Sequence, residues 1–215
     1  MKISETELNQ RIDRIIHAAF RLFCQDGIDH VSIKDVAREA GVGEKSIYRY
    51  FRCKTELVTN TTAVLWKEIV SEMLASLADG YEERSGLDQI WCLLHCMRTL
   101  FDNHANYVYF SYESKIFLAG NKTKVSEALY TEELRPIKER YFAALEKGMA
   151  DGSIAARGEV EDIYYTVWGM MRGYVAKIVI YDRMYDGENE WRARFDTACA
   201  VIVAGLAHGL PEQAL

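Results

Sequence analysis

The chain has 215 residues, enough for one or two domains with a substantial hydrophobic core. A hydrophobic fraction of 49% with only two prolines excludes an intrinsically disordered chain, and the longest strongly apolar stretch, residues 198–207, is about half as long as a membrane-spanning helix. The net charge of −6 is unevenly distributed, because residues 1–54 carry ten Lys and Arg against eight Asp and Glu. Since nucleic-acid affinity depends on where the cations lie, this segregation favours a small DNA-contacting head on a larger acidic body.

The cysteines are odd in number and lack the spacing of a disulfide framework. They are Cys24, Cys53, Cys92, Cys96 and Cys199. Residues 1–14 contain no apolar run of signal-peptide length. We therefore expect a cytoplasmic protein with reduced thiols.

Residues 4–26 are predicted to form the first helix, because apolar residues recur along one face from Ile12 to Phe23. Gly27 ends this helix. We expect it to pack behind the two helices that follow and to complete a three-helix head.

The next two helices are joined by a tight turn. Ser32 followed three residues later by Asp35 predicts a capping box at the start of the first. Gly41 stands where that helix must end, since glycine accepts the left-handed backbone that turns the chain sharply.

A second short helix is predicted over residues 43–51, with Ile47, Tyr50 and Phe51 available for the core. A helix, a glycine-containing turn and a short exposed helix together are typical of the helix-turn-helix motif that reads DNA. The side chains left facing outward are Glu44, Lys45, Ser46, Tyr48 and Arg49.

The rest of the chain is also predicted to be helical, and no segment has the period of a strand. Ser85 with Asp88 predicts another capping box, and Pro136 should kink or divide the helix that contains it. The fold class is therefore all-α with about nine helices. The predicted helices after the head cover residues 54–79, 85–103, 104–117, 123–149, 159–185 and 188–209.

Residues 32–57 resemble the N-terminal signature of the tetracycline-repressor (TetR) family of bacterial transcription regulators. The resemblance implies a homodimer that places two heads in successive major grooves of a near-palindromic operator and represses transcription until a small molecule binds the body. It implies a helix-turn-helix DNA-binding domain over residues 1–54 and a helical ligand-binding and dimerisation domain over residues 55–215. The motif is carried by Ser32, Val36-Ala37, Ala40-Gly41-Val42, Tyr48-Arg49-Tyr50-Phe51, Lys54, Glu56 and Leu57.

The same resemblance implies the DNA contacts, position by position. Lysine and arginine neutralise phosphate and donate to guanine, while hydroxyl groups bond to phosphate oxygens. Ser32, Tyr48 and Lys54 would contact phosphates. The predicted DNA-binding residues are Ser32, Lys34, Gly43, Glu44, Lys45, Ser46, Tyr48, Arg49, Tyr50 and Lys54.

Gly43 and Glu44 depart from the family pattern, which more often has a hydroxyl and a small or basic residue there. A carboxylate at this place would repel phosphate. Glu44 either accepts a hydrogen bond from a cytosine N4 and narrows the operator sequence, or stabilises the first turn of its helix through the helix dipole.

A ligand pocket is predicted around a run of aromatic residues between Tyr107 and Phe117. The alternative for each of these side chains is packing in the core. Their phenol hydroxyls need partners when buried, which favours a pocket for a flat or partly apolar small molecule. The predicted ligand-binding residues are Trp66, Trp91, His95, Tyr107, Phe110, Tyr112, Glu113, Tyr165, Trp168, Met171 and Arg172.

Cys92, His95 and Cys96 are close enough on one helix to supply three metal ligands. A fourth ligand is not evident, and such residues on an apolar helix are more often core. Cys53 is a weaker candidate for redox chemistry. We predict no metal and no cofactor apart from a small-molecule effector.

Small residues at helical spacing near the C-terminus predict a close approach of helices between two subunits. Two such helices from each chain would form a four-helix dimer core. The predicted interface residues are Gly169, Gly173, Ala176, Ala198, Ile202 and Gly205.

The sequence thus indicates a ligand-responsive DNA-binding regulator, most simply a homodimeric repressor that sits on the nucleoid when bound to its operator. The alternative is a TetR-like coregulator that acts through a protein partner instead of DNA. An enzyme is the weakest interpretation, because no nucleophile, phosphate loop or complete metal spacing is present.

Overall fold

The protein is described from a computed structural model. The structure describes residues 5–77, 79–122, 127–156, 158–186 and 189–209, with the backbone alone for residues 5 and 127–134. All regular structure in these ranges is helical, which confirms the predicted all-α class. The helices are α1 (Glu5–Asp26), α2 (Ile33–Glu39), α3 (Glu44–Tyr50), α4 (Lys54–Ala75), α5 (Gly86–Cys96), α6 (Arg98–Asp102), α7 (Ala105–Gly120), α8 (Glu127–Asp151), α9 (Val160–Met184), α10 (Glu190–Ala193) and α11 (Phe195–His208). Of the helices in these ranges, none combines the length and the apolar character that a membrane crossing needs.

The chain divides into two compact units. Unit 1 consists of the residues up to Glu68 together with Asn106–Glu133, and unit 2 consists of Ile69–Ala105 and the residues from Leu134 onward. The dividing point falls within α4, whereas the sequence places a domain boundary after residue 54. That boundary stays a prediction.

The head in unit 1 forms as its caps predict. The Asp35 amide donates to Ser32 Oγ over 3.2 Å and the Ser32 amide donates to Asp35 Oδ2 over 3.0 Å, which confirms the capping box. Gly41 has a φ of +65°, as the predicted turn requires. Ile47 and Phe51 are buried as expected, whereas Tyr50 is only half-buried.

Two aromatic contacts fix α7 against α1 in unit 1. Phe110 stacks on Phe23 with ring centroids 5.8 Å apart and meets Phe20 edge-on at 5.5 Å. Phe110 and Phe23 are fully buried, so these rings belong to the core of the head and not to its surface.

The packing of α4 against α7 in unit 1 includes buried hydroxyl groups. Thr62 Oγ1 donates to the carbonyl of Val58, one turn earlier on α4, and lies 3.4 Å from Ser114 Oγ on α7. The Tyr107 hydroxyl donates across the helices to the Thr62 carbonyl over 3.0 Å. These bonds satisfy polar groups that would otherwise be costly to bury.

In unit 2 the start of α5 is capped by the end of α8. The Gly86 amide donates to Asp151 Oδ2 over 2.8 Å and the Leu87 amide to Ser153 Oγ over 3.1 Å. Ser85 accepts from the Asp88 amide as predicted, while the Asp88 carboxylate accepts from the Ser85 hydroxyl over 2.6 Å. Unpaired amides at the N-terminus of α5 are thus satisfied by side chains.

Two predicted helices are each divided, which is why the described ranges contain eleven helices instead of nine. The segment predicted over residues 85–103 breaks at Met97, whose amide bonds three residues back to Leu94 and so tightens the turn. The last helix breaks at Arg194, after Asn189 caps the single turn of α10. Apolar periodicity continues through both breaks and does not reveal them.

The predicted end of the helix that starts at residue 54 is wrong, and of the kink or division predicted at Pro136 the division is not found. Helix α4 ends at Ala75, because the Ser76 hydroxyl donates to the Met73 carbonyl over 2.7 Å and competes with the helical bonds. Helix α8 runs through Pro136 without division. Pro136 is exposed, so water can reach the backbone carbonyl that a proline leaves without a donor.

Candidate functional site: a nucleic-acid interface and an effector region

The outer face of α3 carries exposed cationic side chains. Ile47 is fully buried and anchors this short helix, while Lys45, Tyr48 and Arg49 are exposed, Tyr48 by 51%. Glu44 is also exposed and Ser46 is half-buried. Gly43 occupies the N-cap position and supplies no side-chain hydrogen bond. The predicted outward orientation is therefore confirmed for Glu44, Lys45, Tyr48 and Arg49, whereas Ser46 is partly covered.

Arg49 is held in a defined position by its neighbour. Its Nη2 donates to the Tyr50 hydroxyl over 2.5 Å, and its guanidinium carbon lies 4.9 Å from the centre of the Tyr50 ring. A guanidinium fixed in this way loses less rotational freedom when it binds. It presents donors suited to a phosphate or to guanine.

Ser32 and Lys34 lie at the start of α2 and both are exposed. The Ser32 hydroxyl is occupied by the capping box, since it donates to Asp35 Oδ2 over 2.5 Å. The two hydrogen bonds from Ser32 lower the pKa of the Asp35 carboxyl, and nearby Arg38 lowers it further. Ser32 therefore shapes the helix terminus in addition to any phosphate contact.

Lys54 points to the interior of unit 1. Its Nζ donates to the Asp29 carbonyl over 3.3 Å and lies 5.3 Å from the centre of the Phe117 ring. Burial lowers the pKa of the Lys54 amine, while Asp29 and Glu113 oppose that effect. A phosphate contact by Lys54 requires it to leave these partners.

The predicted ligand-binding residues of unit 1 are mostly core. Trp66, Tyr107 and Phe110 are buried, and Trp66 stacks on Tyr107 with centroids 5.9 Å apart. Tyr112 is half-buried beneath the Lys115 ammonium, which lies 5.0 Å from its ring centre. Glu113 accepts a hydrogen bond from the Ile28 amide over 2.7 Å, so its carboxylate already has a backbone partner.

The remaining predicted ligand residues lie in unit 2, in two groups. Trp91 contacts His95 with ring centroids 4.0 Å apart, and His95 Nε2 lies 3.3 Å from Asp196 Oδ1 on α11. On α9, Trp168 stacks on Tyr164, and the Arg172 guanidinium lies 5.9 Å from the Trp168 ring centre.

Tyr165 and Met171 complete the α9 group but differ from each other in exposure. Tyr165 is half-exposed and its hydroxyl accepts from Lys138 Nζ over 3.1 Å. Met171 is buried. Tyr164, Tyr165 and Trp168 thus form one aromatic cluster in unit 2 that runs from buried Tyr164 to the surface at Tyr165.

Cys92, His95 and Cys96 do not converge on a common point. The Cys96 thiol donates to the Leu93 carbonyl, Cys92 Sγ accepts from Arg84, and His95 Nδ1 lies 3.0 Å from the Trp91 carbonyl. Burial raises the pKa of the Cys96 thiol to about 12, which disfavours the thiolate that a metal would need. Within the described ranges no group of three His, Cys, Asp or Glu side chains is arranged to hold a metal ion.

An apolar groove of about 300 Å³ lies between α9 and α11 in unit 2. Met170 and Val201 on its walls are 57% and 65% exposed. Of the predicted interface residues, Ala198 and Ile202 line the groove, whereas Ala176 is buried inside the unit. A side-chain carbon added at Gly169, Gly173 or Gly205 would meet no other atom within 4 Å, so these backbones are open to an approaching helix.

Sequence patterns alone missed part of this groove. Met170, Tyr174 and Val201 line it but are absent from the predicted interface. Met170 and Tyr174 stand one turn apart on α9, a spacing that reveals a shared face. Their exposure was not readable from the sequence, because buried apolar residues such as Met171 and Val175 stand directly beside them on the same helix.

Comparisons with known proteins give one family model for the head and several similar regulators for the longer chain. The model described as bacterial regulatory proteins, tetR family, matches residues 15–60. The HTH-type transcriptional repressor KstR2 of Rhodococcus jostii is 23% identical over 168 residues, which cover 76% of this chain and 79% of the repressor. The fatty acid degradation regulator FadR of Bacillus halodurans superposes with a TM-score of 0.70 at 17% identity, covering 96% of this chain and 98% of that one. FadR of Bacillus subtilis in complex with stearoyl-CoA superposes with a TM-score of 0.69 at 17% identity, covering 90% of this chain and 98% of that one.

Proposed function

We propose that the chain is a member of the tetR family of bacterial regulatory proteins, whose model matches residues 15–60, and that it is a homodimeric repressor of a near-palindromic operator, released by a small, partly apolar or aromatic molecule. It works in the cytoplasm, on the nucleoid when bound to its operator. The observation that carries the proposal is the exposed cationic face of α3, held on the head by a fully buried Ile47.

The chemistry of that face suits DNA. Lys45 and Arg49 supply cations for phosphates and donors for guanine O6 and N7, and the exposed Tyr48 hydroxyl supplies a further phosphate donor. The excess of positive charge in residues 1–54 concentrates attraction at the head. Because each neutralised phosphate releases counterions, operator affinity should fall steeply with salt.

The apolar groove of α9 and α11 supports a homodimer. Exposed Met170 and Val201, beside the open backbones of Gly169 and Gly205, form a surface that a second copy of the same helices can cover. An interface of this kind repeats on both subunits of a two-fold dimer. It would fix the distance between two heads and hence between two operator half-sites.

An effector with an apolar part is supported by the stacked aromatic side chains of both units, buried Trp66 and Tyr107 in one, and buried Tyr164 with half-buried Trp168 in the other. The structurally similar FadR of Bacillus subtilis binds stearoyl-CoA. A ligand acts as an inducer only if it binds the DNA-free arrangement more tightly than the DNA-bound one. Stearoyl-CoA is therefore the first probe, with mass spectrometry of the native protein to detect any co-purified small molecule.

The proposal is tested by selecting duplexes from a random-sequence pool with the full-length protein and measuring affinity for the selected duplex by fluorescence anisotropy. We expect a near-palindromic sequence and a linear fall of log affinity with log salt. Lys45→Ala should reduce the salt slope by about one unit for each head, while Lys67→Ala, an exposed lysine on α4, should leave it unchanged.

Failure to enrich any duplex would contradict DNA reading by this chain. If a protein then co-purified with it from the native host, the coregulator alternative would replace the repressor. Enrichment of a non-symmetric site would keep DNA binding and reject the homodimeric arrangement of the heads.

A further inference from the structure

Glu113 on α7 contacts the loop that joins α1 to α2. Its Oε1 accepts from the Ile28 amide over 2.7 Å. The same oxygen would lie 3.3 Å from a side-chain carbon at Gly27, whose φ is +82°. A larger residue at Gly27 would therefore be strained by its backbone and would crowd the carboxylate.

The loop leads directly into the DNA-binding elements. Ile28 is fully buried and Ser32, four residues further on, is the N-cap of α2. The Asp29 carbonyl accepts from Lys54 Nζ, the first residue of α4. The loop of residues 27–31 is thus hydrogen-bonded to α7 through Glu113 and to α4 through Lys54.

The contact places a partly buried carboxylate against the loop. Glu113 Oε2 is buried and has no hydrogen-bond partner among the described residues. A carboxylate is about twice as strong an acceptor as a neutral carbonyl, but burying it with one oxygen unpaired opposes folding. A side chain selected for packing alone would avoid that cost.

We propose that Glu113 is a positioning residue for DNA binding: its carboxylate holds the loop of residues 27–31 in the place from which α2 and α3 are presented to the operator. This inference rests on the proposed DNA-binding function. Glu113 makes no contact with DNA itself and acts through the Ile28 amide. Any displacement of α7 that withdraws the carboxylate releases the loop and lowers operator affinity.

The hydrogen bond is tested first in the protein without DNA. Residue-resolved amide hydrogen exchange by NMR should show Ile28 protected in the wild type and in Glu113→Gln, which retains an acceptor oxygen. Protection should be lost in Glu113→Ala. Glu113→Asp, which keeps the charge but is one methylene shorter, should also lose it and serves if Glu113→Ala does not fold. Unchanged protection in both shortened variants would overturn the inference.

Operator affinity is then measured with the duplex selected by the wild type. We expect about a tenfold loss for Glu113→Ala and for Glu113→Asp, full rescue by Glu113→Gln, and no change for Glu146→Ala, an exposed glutamate on α8. Equal affinities for all variants, or an equal loss in the Gln and Ala variants, would refute the positioning role. If the wild type selects no duplex, the proposed function fails, and the exchange data still show whether the loop is tethered.

Discussion

At the residue scale, the side chains proposed to face DNA are held in place by contacts within the head. Arg49 donates to the Tyr50 hydroxyl, and Ser32 exchanges hydrogen bonds with Asp35. Such contacts reduce the number of conformations that each side chain must give up on binding. The geometry of the proposed recognition surface therefore depends on hydrogen bonds within the protein as well as on the groups that would meet DNA.

The substitution Tyr50→Phe distinguishes the effect of Arg49 orientation on operator affinity from any effect on the stability of the fold. The change removes the acceptor for Arg49 while keeping the ring against which the guanidinium packs. Operator affinity should fall by about threefold to tenfold, with the unfolding free energy changed by less than about 1 kcal/mol. Anisotropy titration and thermal denaturation measure the two quantities. Tyr185→Phe, at an exposed position beyond α9, is the matched control, and an equal loss of affinity there would contradict the argument.

The capping box makes the start of α2 sensitive to acid. Hydrogen bonds from Ser32 place the pKa of Asp35 below its ordinary value of 3.8. The stabilisation is therefore fully present above that value and is lost as pH falls through the lower folded pKa. Ser32→Ala should return the pKa of Asp35 toward its ordinary value, as followed by NMR titration of the carboxyl carbon. An unchanged titration in this variant would show that the capping bonds are not the cause.

At the element scale, helix starts were predictable and helix interruptions were not. The motifs that begin with Ser32 and Ser85 are local, and both serines cap as expected. The break at Met97 depends on how α5 and α6 pack, which no local pattern contains. Asn189 is an exception, because an asparagine before an acidic residue is a capping signal that the sequence did display.

The hydrogen bond of Glu113 is another feature that local sequence patterns could not predict. Aromatic neighbours on α7 suggested that its carboxylate would orient a ligand. Its partner is instead the amide of Ile28, 85 positions away in the chain. No sequence pattern connects a glutamate with one backbone amide at that separation, so only the folded chain reveals the contact.

The crossing of α5 and α8 depends on a missing side chain. A carbon added at Gly86 would lie 2.0 Å from the Gly148 nitrogen and 2.4 Å from the Ala144 oxygen, both backbone atoms that cannot rotate away. Gly86→Ala should therefore destabilise unit 2 by about 3 kcal/mol, measured by urea denaturation. Gly120→Ala, at the end of α7 where such a carbon meets nothing within 4 Å, should change stability by less than about 1 kcal/mol. If Gly86→Ala and Gly120→Ala were equally stable, α5 and α8 would have to move apart at little cost in free energy, and the argument would be contradicted.

At the scale of the whole molecule, the positive charge and the exposed apolar groove lie in different parts of the chain. The positive excess lies in the residues of the head, whereas the exposed apolar groove lies between α9 and α11. The sequence indicated both features, the first by counting charges and the second by its small residues. Which apolar residues are exposed could not be predicted, since Ala176 is buried while Met170 and Val201 are not.

The proposed homodimer is the step on which the proposed operator recognition depends, and it can be tested by introducing a charge at the groove. Val201→Glu places a carboxylate on the groove wall, where a dimer would have to bury it without a partner. Analytical ultracentrifugation should show a shift from twice the 24.7 kDa chain mass to the single chain, with helical content unchanged. Operator affinity should fall at least about a hundredfold, because one head alone loses the second half-site.

Ile116→Glu provides the matched control for that experiment. Ile116 lies on α7 and is 74% exposed, so the same apolar-to-acidic change there leaves the groove intact. This variant should remain a dimer. If Val201→Glu also remained a dimer, the subunits would have to associate through another surface. If it became monomeric but bound the selected duplex with wild-type affinity, the two heads would not act together.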